Sequence, residues 1–261
     1  MGGKMKPKIG QNFLVDRSVL DFEAKEADVP GKGVLEIGAG DGRLTRQLLA
    51  NGAKSITACE LDRKLAAALR KRFNKNGKVR VWEGDFLEFP EGERHERVVG
   101  NIPYYITTPI IFKLARMDFG SALLCVQKEV AKRMAAAPGS GNYGRLSVSC
   151  QLCFSVELLA IVPRSAFEPV PKVDSCIVRL TRTGFSLGKR DEKAIAAIFS
   201  HRKKSLRNAV IDARAELFHA VDKKEACALA EKLKYAARKV FTLSPQEALH
   251  AARELRGGNE S

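Results

Sequence analysis

Val34-Leu35-Glu36-Ile37-Gly38-Ala39-Gly40-Asp41-Gly42 is a short apolar run that breaks into alternating glycines, and a helical pattern from Leu44 to Ala50 follows at once. The run reads as a buried strand. Glycines directly after a strand permit a tight turn and leave backbone N–H groups facing a crevice. Strand, glycine turn and helix in that order form the repeating unit of a parallel α/β sheet, whose ligands bind outside the carboxyl ends of the strands.

The chain on either side repeats the unit. Ser55 to Leu61, Val79 to Trp82, Arg97 to Gly100 and Ser121 to Gln127 read as further strands, with helices over Lys64 to Phe73 and Thr107 to Arg116. Pro109 suits the first turn of the latter helix, with Thr107 or Thr108 as its N-cap. Upstream, Asp16 is placed to cap a helix carrying Val19, Leu20 and Phe22. After a helix from Glu129 to Ala136, the glycine-rich segment Ala137 to Gly144 is expected to be mobile, and Arg145 to Cys153 reads as helix. Val156 to Val162 and Cys176 to Thr181 look like two late strands, joined by a proline-punctuated loop into an antiparallel hairpin at the sheet edge. The expected fold is α/β: a mostly parallel, seven-stranded sheet with helices on both faces. From Thr183 onward only helical patterns remain, near 190–200, 204–218, 222–234 and 244–255. The expected division is a sheet domain over residues 1–182 and a small all-helical domain over 183–261.

Composition narrows the class of partner. The 261 residues hold 45 Lys and Arg against 30 Asp and Glu, a net charge of +15, with +9 on residues 1–182 and +6 on 183–261. An excess spread over the whole chain suits a polyanion, because each phosphate contact releases condensed counterions. No apolar run approaches the roughly 20 residues that cross a bilayer, and Lys4, Lys6 and Lys8 precede no apolar segment of a signal peptide. The six cysteines sit mostly in apolar runs and read as reduced, buried thiols of a cytoplasmic protein. Cys150 and Cys153 are a lone pair without further ligands at metal-site spacing, so no metal centre is expected.

The glycine turn departs from the nicotinamide fingerprint, since the third glycine arrives one residue early and Arg43 holds its place. Glu36 adds a negative charge that benefits a ligand with an amino group or a sulfonium. The spacing favours S-adenosylmethionine over a dinucleotide, with Gly38 and Gly40 letting it approach the backbone. Glu60 ends the second strand, where a carboxylate can accept from both ribose hydroxyls. Asp85 follows the third strand and is placed to accept from an adenine amine, with Phe86 or Leu61 packing against the ring. After the fourth strand comes Asn101-Ile102-Pro103-Tyr104. Pro103 keeps this segment extended and rigid. The Asn101 amide oxygen and the Ile102 carbonyl can together accept both hydrogens of a planar exocyclic amine, and Tyr104 can stack on the base that carries it. The cluster Arg202, Lys203, Lys204 and Arg207 contains no acid and suits RNA phosphates.

With these motifs the chain closely resembles the KsgA family of small-subunit ribosomal RNA adenine-N6,N6-dimethyltransferases, over nearly its whole length. The resemblance implies a Rossmann-like class I methyltransferase domain followed by a helical RNA-binding domain. Gly10-Gln11-Asn12-Phe13-Leu14 matches the family's N-terminal cofactor motif, which implies that Gln11, Asn12 and Leu14 touch the methionine end of S-adenosylmethionine. Asn101 to Tyr104 is similar to the catalytic turn, and Phe167 looks like the second base-stacking aromatic. Pro169 to Ser175 resembles the loop that supports the target pocket. Two positions depart from the pattern: Tyr105 stands where bacterial members carry asparagine, and Glu168 replaces a small polar residue. The implied reaction is methylation of two adjacent adenosines near the 3′ end of small-subunit ribosomal RNA, by a monomer acting on immature subunits away from any membrane. A resistance methyltransferase of large-subunit RNA is the near rival. A DNA adenine methyltransferase, a non-catalytic assembly factor and a nicotinamide oxidoreductase fit the motifs less well.

Overall fold

The strand that opens the glycine turn, β2 (Gly33–Ile37), is buried along almost its whole length, as expected of a strand covered on both faces. The computed structural model describes residues 12–218 and 221–257. The two-residue strand β1 (Phe13–Leu14) and helix α1 (Arg17–Glu26) precede β2. Asp16 caps α1 as expected, its carboxylate accepting from the N–H groups of Ser18 and Val19. After β2 come α2 (Arg43–Ala50), β3 (Ser55–Glu60), α3 (Arg63–Phe73), β4 (Val79–Glu83), β5 (His95–Asn101), α4 (Thr107–Leu114) and β6 (Phe119–Gln127). Then follow α5 (Lys128–Met134), α6 (Arg145–Cys153), β7 (Phe154–Val162), the two-residue β8 (Phe167–Glu168) and β9 (Ser175–Arg182).

The main sheet has seven strands in the order β4-β3-β2-β5-β6-β9-β7. Strands β4, β3, β2, β5 and β6 pair in parallel, and β9 joins β6 antiparallel. The two late strands are neighbours at the sheet edge, with β7 outermost. The strand order reverses between β2 and β5, so a crevice opens where their carboxyl ends part. Val34, Ile56, Ala58, Val99 and Leu123 of the sheet pack against Leu20 and Ala24 of α1 and Leu44 and Leu48 of α2. Gly42 opens α2 at φ 78°, and a Cβ there would lie 2.8 Å from Leu69 Cδ2 and 2.9 Å from Phe73 Cε2 of α3. Only glycine supplies both that dihedral and that space.

The chain divides into two compact units. The first contains the described residues through Ala131 together with Ser155–Arg182, and the second contains Lys132–Phe154 together with the described chain from Thr183. The single boundary expected near residue 183 therefore differs over Lys132–Phe154. Helix α6 mixes apolar and polar residues without a distinct apolar face and is buried along most of its length, which left its partner unreadable in the sequence. In the second unit α6 packs against α11 (Pro245–Gly257), which also packs on α7 (Lys189–Ser200). The helix expected over 204–218 is broken at Ala213 into α8 (Leu206–Asp212) and α9 (Arg214–Leu217), and α8 packs on α10 (Lys223–Glu231).

Two further expectations are corrected. Ala137 to Gly144 is tied down: Tyr143 is fully buried, its hydroxyl donates to Leu243 O at 2.8 Å, and Gly139 N donates to Phe241 O at 2.7 Å. One large aromatic side chain outweighs the freedom of the surrounding glycines. Thr107 does not cap α4 with its hydroxyl, which instead turns back toward the carbonyls of Pro103 and Tyr104 at 3.3 Å. No described helix is long and apolar enough to cross a membrane.

Candidate active site

A single crevice at the carboxyl ends of the central strands gathers the sequence motifs, and its lining lies wholly in the first unit. The glycine turn forms its floor. Gly38 N and Ala39 N donate to Cys59 O at 2.9 and 3.0 Å, tying the turn to β3. Glu60 completes the tie, accepting from Gly40 N through Oε2 and from Asp62 N through Oε1, each at 2.8 Å. Arg72 donates to the Asp41 carbonyl, and Arg43 pairs with the Asp41 carboxylate at 3.1 Å. Leu61 stands 58% exposed on the rim, and Asp85 and Phe86 line the same side. Asp85 caps the short turn that follows it, accepting from Leu87 N at 2.9 Å. Phe86 is buried and stacks on Phe89.

The opposite wall is the Asn101 to Tyr104 turn, all four residues of which line the crevice. Ile102 N donates to Cys125 O of β6 at 3.0 Å and fixes the turn to the sheet. Tyr104 is held at its far end by a 2.7 Å hydroxyl contact with Ser175, a fully buried residue at the start of β9. Burial raises the Tyr104 phenol above its ordinary range. The loop that resembles a pocket support thus reaches the ring through its last residue. Asp174 of the same loop accepts from Arg164 N and Lys128 N. Asn12 and Leu14 border the crevice, and β1 pairs with β8 so that Leu14 sits opposite Phe167, which is itself buried against the lining. Gln11 lies outside the described residues.

Charge in the crevice is strongly perturbed. Glu36 is only 1% exposed, and its carboxylate accepts from Thr45 Oγ1 at 2.6 Å. Burial pushes it up to about 8, with the Thr45 bond opposing and Glu60 adding to the rise. Burial also raises Glu60, against the N–H bonds from Asp62 and Gly40. Asn101 carries the sharpest feature: Nδ2 donates to Glu23 Oε2 at 3.2 Å, while Oδ1 is buried with no hydrogen-bond partner. A buried acceptor without a donor costs about 1–3 kcal/mol, which a ligand bringing an N–H would relieve.

A model of the family described as ribosomal RNA adenine dimethylase matches residues 2–241. The chain belongs to that family. The KsgA-type resemblance of the sequence is thereby confirmed, and the chain is an adenine dimethyltransferase of ribosomal RNA. It is 39% identical over 240 residues to a probable ribosomal RNA small subunit methyltransferase A of Methanopyrus kandleri, covering 89% of this chain and 84% of the relative. It is 35% identical over 256 residues to the protein of the same description from Pyrococcus abyssi, covering 98% and 93%. Among solved structures, a dimethyladenosine transferase from Plasmodium falciparum superposes with a TM-score of 0.78 at 28% identity, covering 94% of this chain and 98% of that one. The 23S rRNA methyltransferase ErmE gives 0.63 at 29% identity over 94% and 100%.

The crevice also holds residues to which the sequence motifs assigned no contact. Phe13 faces the glycine turn, its ring 3.2 Å from where a Cβ on Gly40 would stand. Tyr105, 68% exposed, lines the mouth of the crevice. Thr45, Glu23 and Ser175 act one residue back from the lining or at its edge. Glu23 had a readable signal: it falls between Leu20 and Ala24 on the buried stripe of α1, a carboxylate where periodicity calls for an apolar residue. The basic cluster of the second unit is largely spent internally. Arg202 donates to Tyr143 O at 2.6 Å and Gly141 O at 3.0 Å, Lys204 pairs with Asp212 at 2.5 Å, and Arg207 pairs with Glu231 at 2.9 Å. Lys203 is exposed.

Proposed function

We propose that this chain dimethylates adenine N6 in small-subunit ribosomal RNA, taking both methyl groups from S-adenosylmethionine. The observation that carries the reading is the orphaned Asn101 Oδ1, an acceptor that a planar exocyclic amine would satisfy. The targets are two adjacent adenosines near the 3′ end of that RNA, presented by an immature small subunit to a monomeric enzyme. The descriptions of the archaeal relatives favour the small subunit over the large.

The crevice residues fit the cofactor. Glu60 and Asp85 offer carboxylate oxygens at the ends of neighbouring strands, and Asp85 spends only Oδ1 on Leu87 N. Leu61 and Phe86 supply apolar surface for an adenine, and Asn12 and Leu14 bound the methionine end. Burial disfavours the charged forms of Glu36 and Glu60, and a ligand bearing positive charge would restore their ionisation. S-adenosylmethionine, when bound, supplies an electrophilic methyl group on a sulfonium. Asn101 Oδ1 and the Ile102 carbonyl accept the two hydrogens of the target amine. Its nitrogen becomes more tetrahedral, and its lone pair turns toward the donor. Both acceptors then stabilise the positive charge that grows on that nitrogen. Tyr104 and Phe167 hold the base, which leaves its stack at a cost of a few kcal/mol. Among the described residues no histidine lines the crevice, and the proton passes to water after transfer.

Glu60→Ala removes the ribose acceptor and frees the Gly40 and Asp62 N–H groups together. Cofactor Kd measured by calorimetry is expected to rise about 10- to 100-fold, on the scale of a lost charged hydrogen bond, and an unchanged Kd would exclude the ribose role. In the second unit, Lys203 is the cation of the cluster most open to phosphate. Lys203→Gln should weaken RNA binding and lower the slope of log affinity against log salt by about 1. An unchanged slope would show the residue idle.

The function itself is tested by incubating the enzyme and labelled cofactor with under-methylated small subunits, large subunits and naked RNA, then digesting to nucleosides. Labelled N6,N6-dimethyladenosine from small subunits is expected. Label confined to large subunits, or found in another nucleoside, would overturn the reading.

A further inference from the structure

Helix α1 supplies one carboxyl group that the family motifs leave without a task. Glu23 is 2% exposed, lies on the buried stripe of α1 and meets Asn101, 78 positions along the chain, through the 3.2 Å bond from Nδ2 to Oε2. The other end of the same amide, Oδ1, is the buried atom without a partner. These two facts belong together. A side-chain amide has a donating end and an accepting end, and rotation about its last bond exchanges them. An acceptor beside Nδ2 fixes which end faces the crevice.

We propose that Glu23 is a positioning residue for methyl transfer: it holds the Asn101 amide by its nitrogen so that Oδ1 is presented to the target amine. This rests on the assignment of Asn101 as amine acceptor given above. With the Glu23 carboxylate in place, the reversed amide would set Oδ1 against a carboxylate oxygen and aim two N–H donors at an amine whose hydrogens need acceptors. The productive orientation is therefore set before RNA arrives, which is where preorganised dipoles are most effective. Burial pushes the Glu23 carboxyl up to about 8, the Asn101 bond opposing and Glu36 adding to the rise. Glu36 and Cys125 are the other titratable groups that act on this pair. The ionised carboxyl only accepts and so holds the amide one way round, whereas the protonated carboxyl can also donate to Oδ1.

The test compares Glu23→Leu and Glu23→Gln in the full chain, with single-turnover methylation and cofactor Kd measured side by side. Leucine fills the space without accepting a hydrogen bond. The rate for Glu23→Leu is expected to fall about 10- to 100-fold at unchanged cofactor Kd, the scale of a misplaced reacting group. Glutamine keeps an accepting oxygen, so Glu23→Gln should stay within about fivefold of the parental rate, the worth of one neutral hydrogen bond. In an Asn101→Ala background, Glu23→Leu should cost nothing further. A parental rate for Glu23→Leu would overturn the positioning role. So would a parallel loss of rate and cofactor affinity, or an equal loss in the glutamine variant, because each marks a merely structural residue. If Asn101→Ala itself keeps the parental rate, the assignment of Asn101 fails and not the link to Glu23 alone.

Discussion

Asn101→Ala is expected to slow methyl transfer about a hundred- to a thousandfold, the range for deleting one preorganised polar group aimed at developing charge. The change removes the orphaned Oδ1 and nothing from the glycine turn, Glu60 or Asp85, so cofactor Kd should stay at its parental value. Rate and affinity therefore separate, as they do when an interaction is made only in the transition state. Rapid-quench measurement with saturating cofactor reads the first quantity, and calorimetry reads the second. Turnover near the parental rate would remove Asn101 from the chemistry.

Gly100→Ala is the second large effect, and here stability and rate fall together. A Cβ on Gly100 would stand 2.6 Å from the Ile37 carbonyl oxygen and 3.1 Å from Ile37 Cβ, between β5 and β2. The neighbour is backbone, so one strand must move. Overpacking of this kind costs about 1–3 kcal/mol, and each kcal/mol lowers Tm by about 2–4 °C in a chain of this size. The same shift displaces Asn101, the next residue, and a 1 Å misplacement costs about a hundredfold in rate. Calorimetry and single-turnover assays should show both losses; a variant with parental Tm and rate would mean that the two strands are not packed as described.

Much of the first unit was legible because its signals are local. An apolar run followed by glycines marks β2 and its turn, Asp16 precedes the helix that it caps, and Pro103 stiffens the turn after β5. The lining residues Glu36, Glu60, Asp85 and Asn101 stand at strand ends, where sequence order alone places them in one crevice. What escaped reading depends on partners far along the chain. Strands β1 and β8 have two residues each and exist only because Leu14 meets Phe167. The cations at 204 and 207 looked free, yet Asp212 and Glu231 lie within reach once α8 and α10 pack. Ser175 was part of a loop motif, but its contact with the Tyr104 hydroxyl joins positions that only the sheet order brings together.

The most direct measurement is a crystal structure of this chain with S-adenosylmethionine bound. The expected result is a methyl carbon directed at the point between Asn101 Oδ1 and the Ile102 carbonyl, leaving room for an amine nitrogen about 3–3.5 Å away. A methyl group directed away from those two oxygens would contradict it.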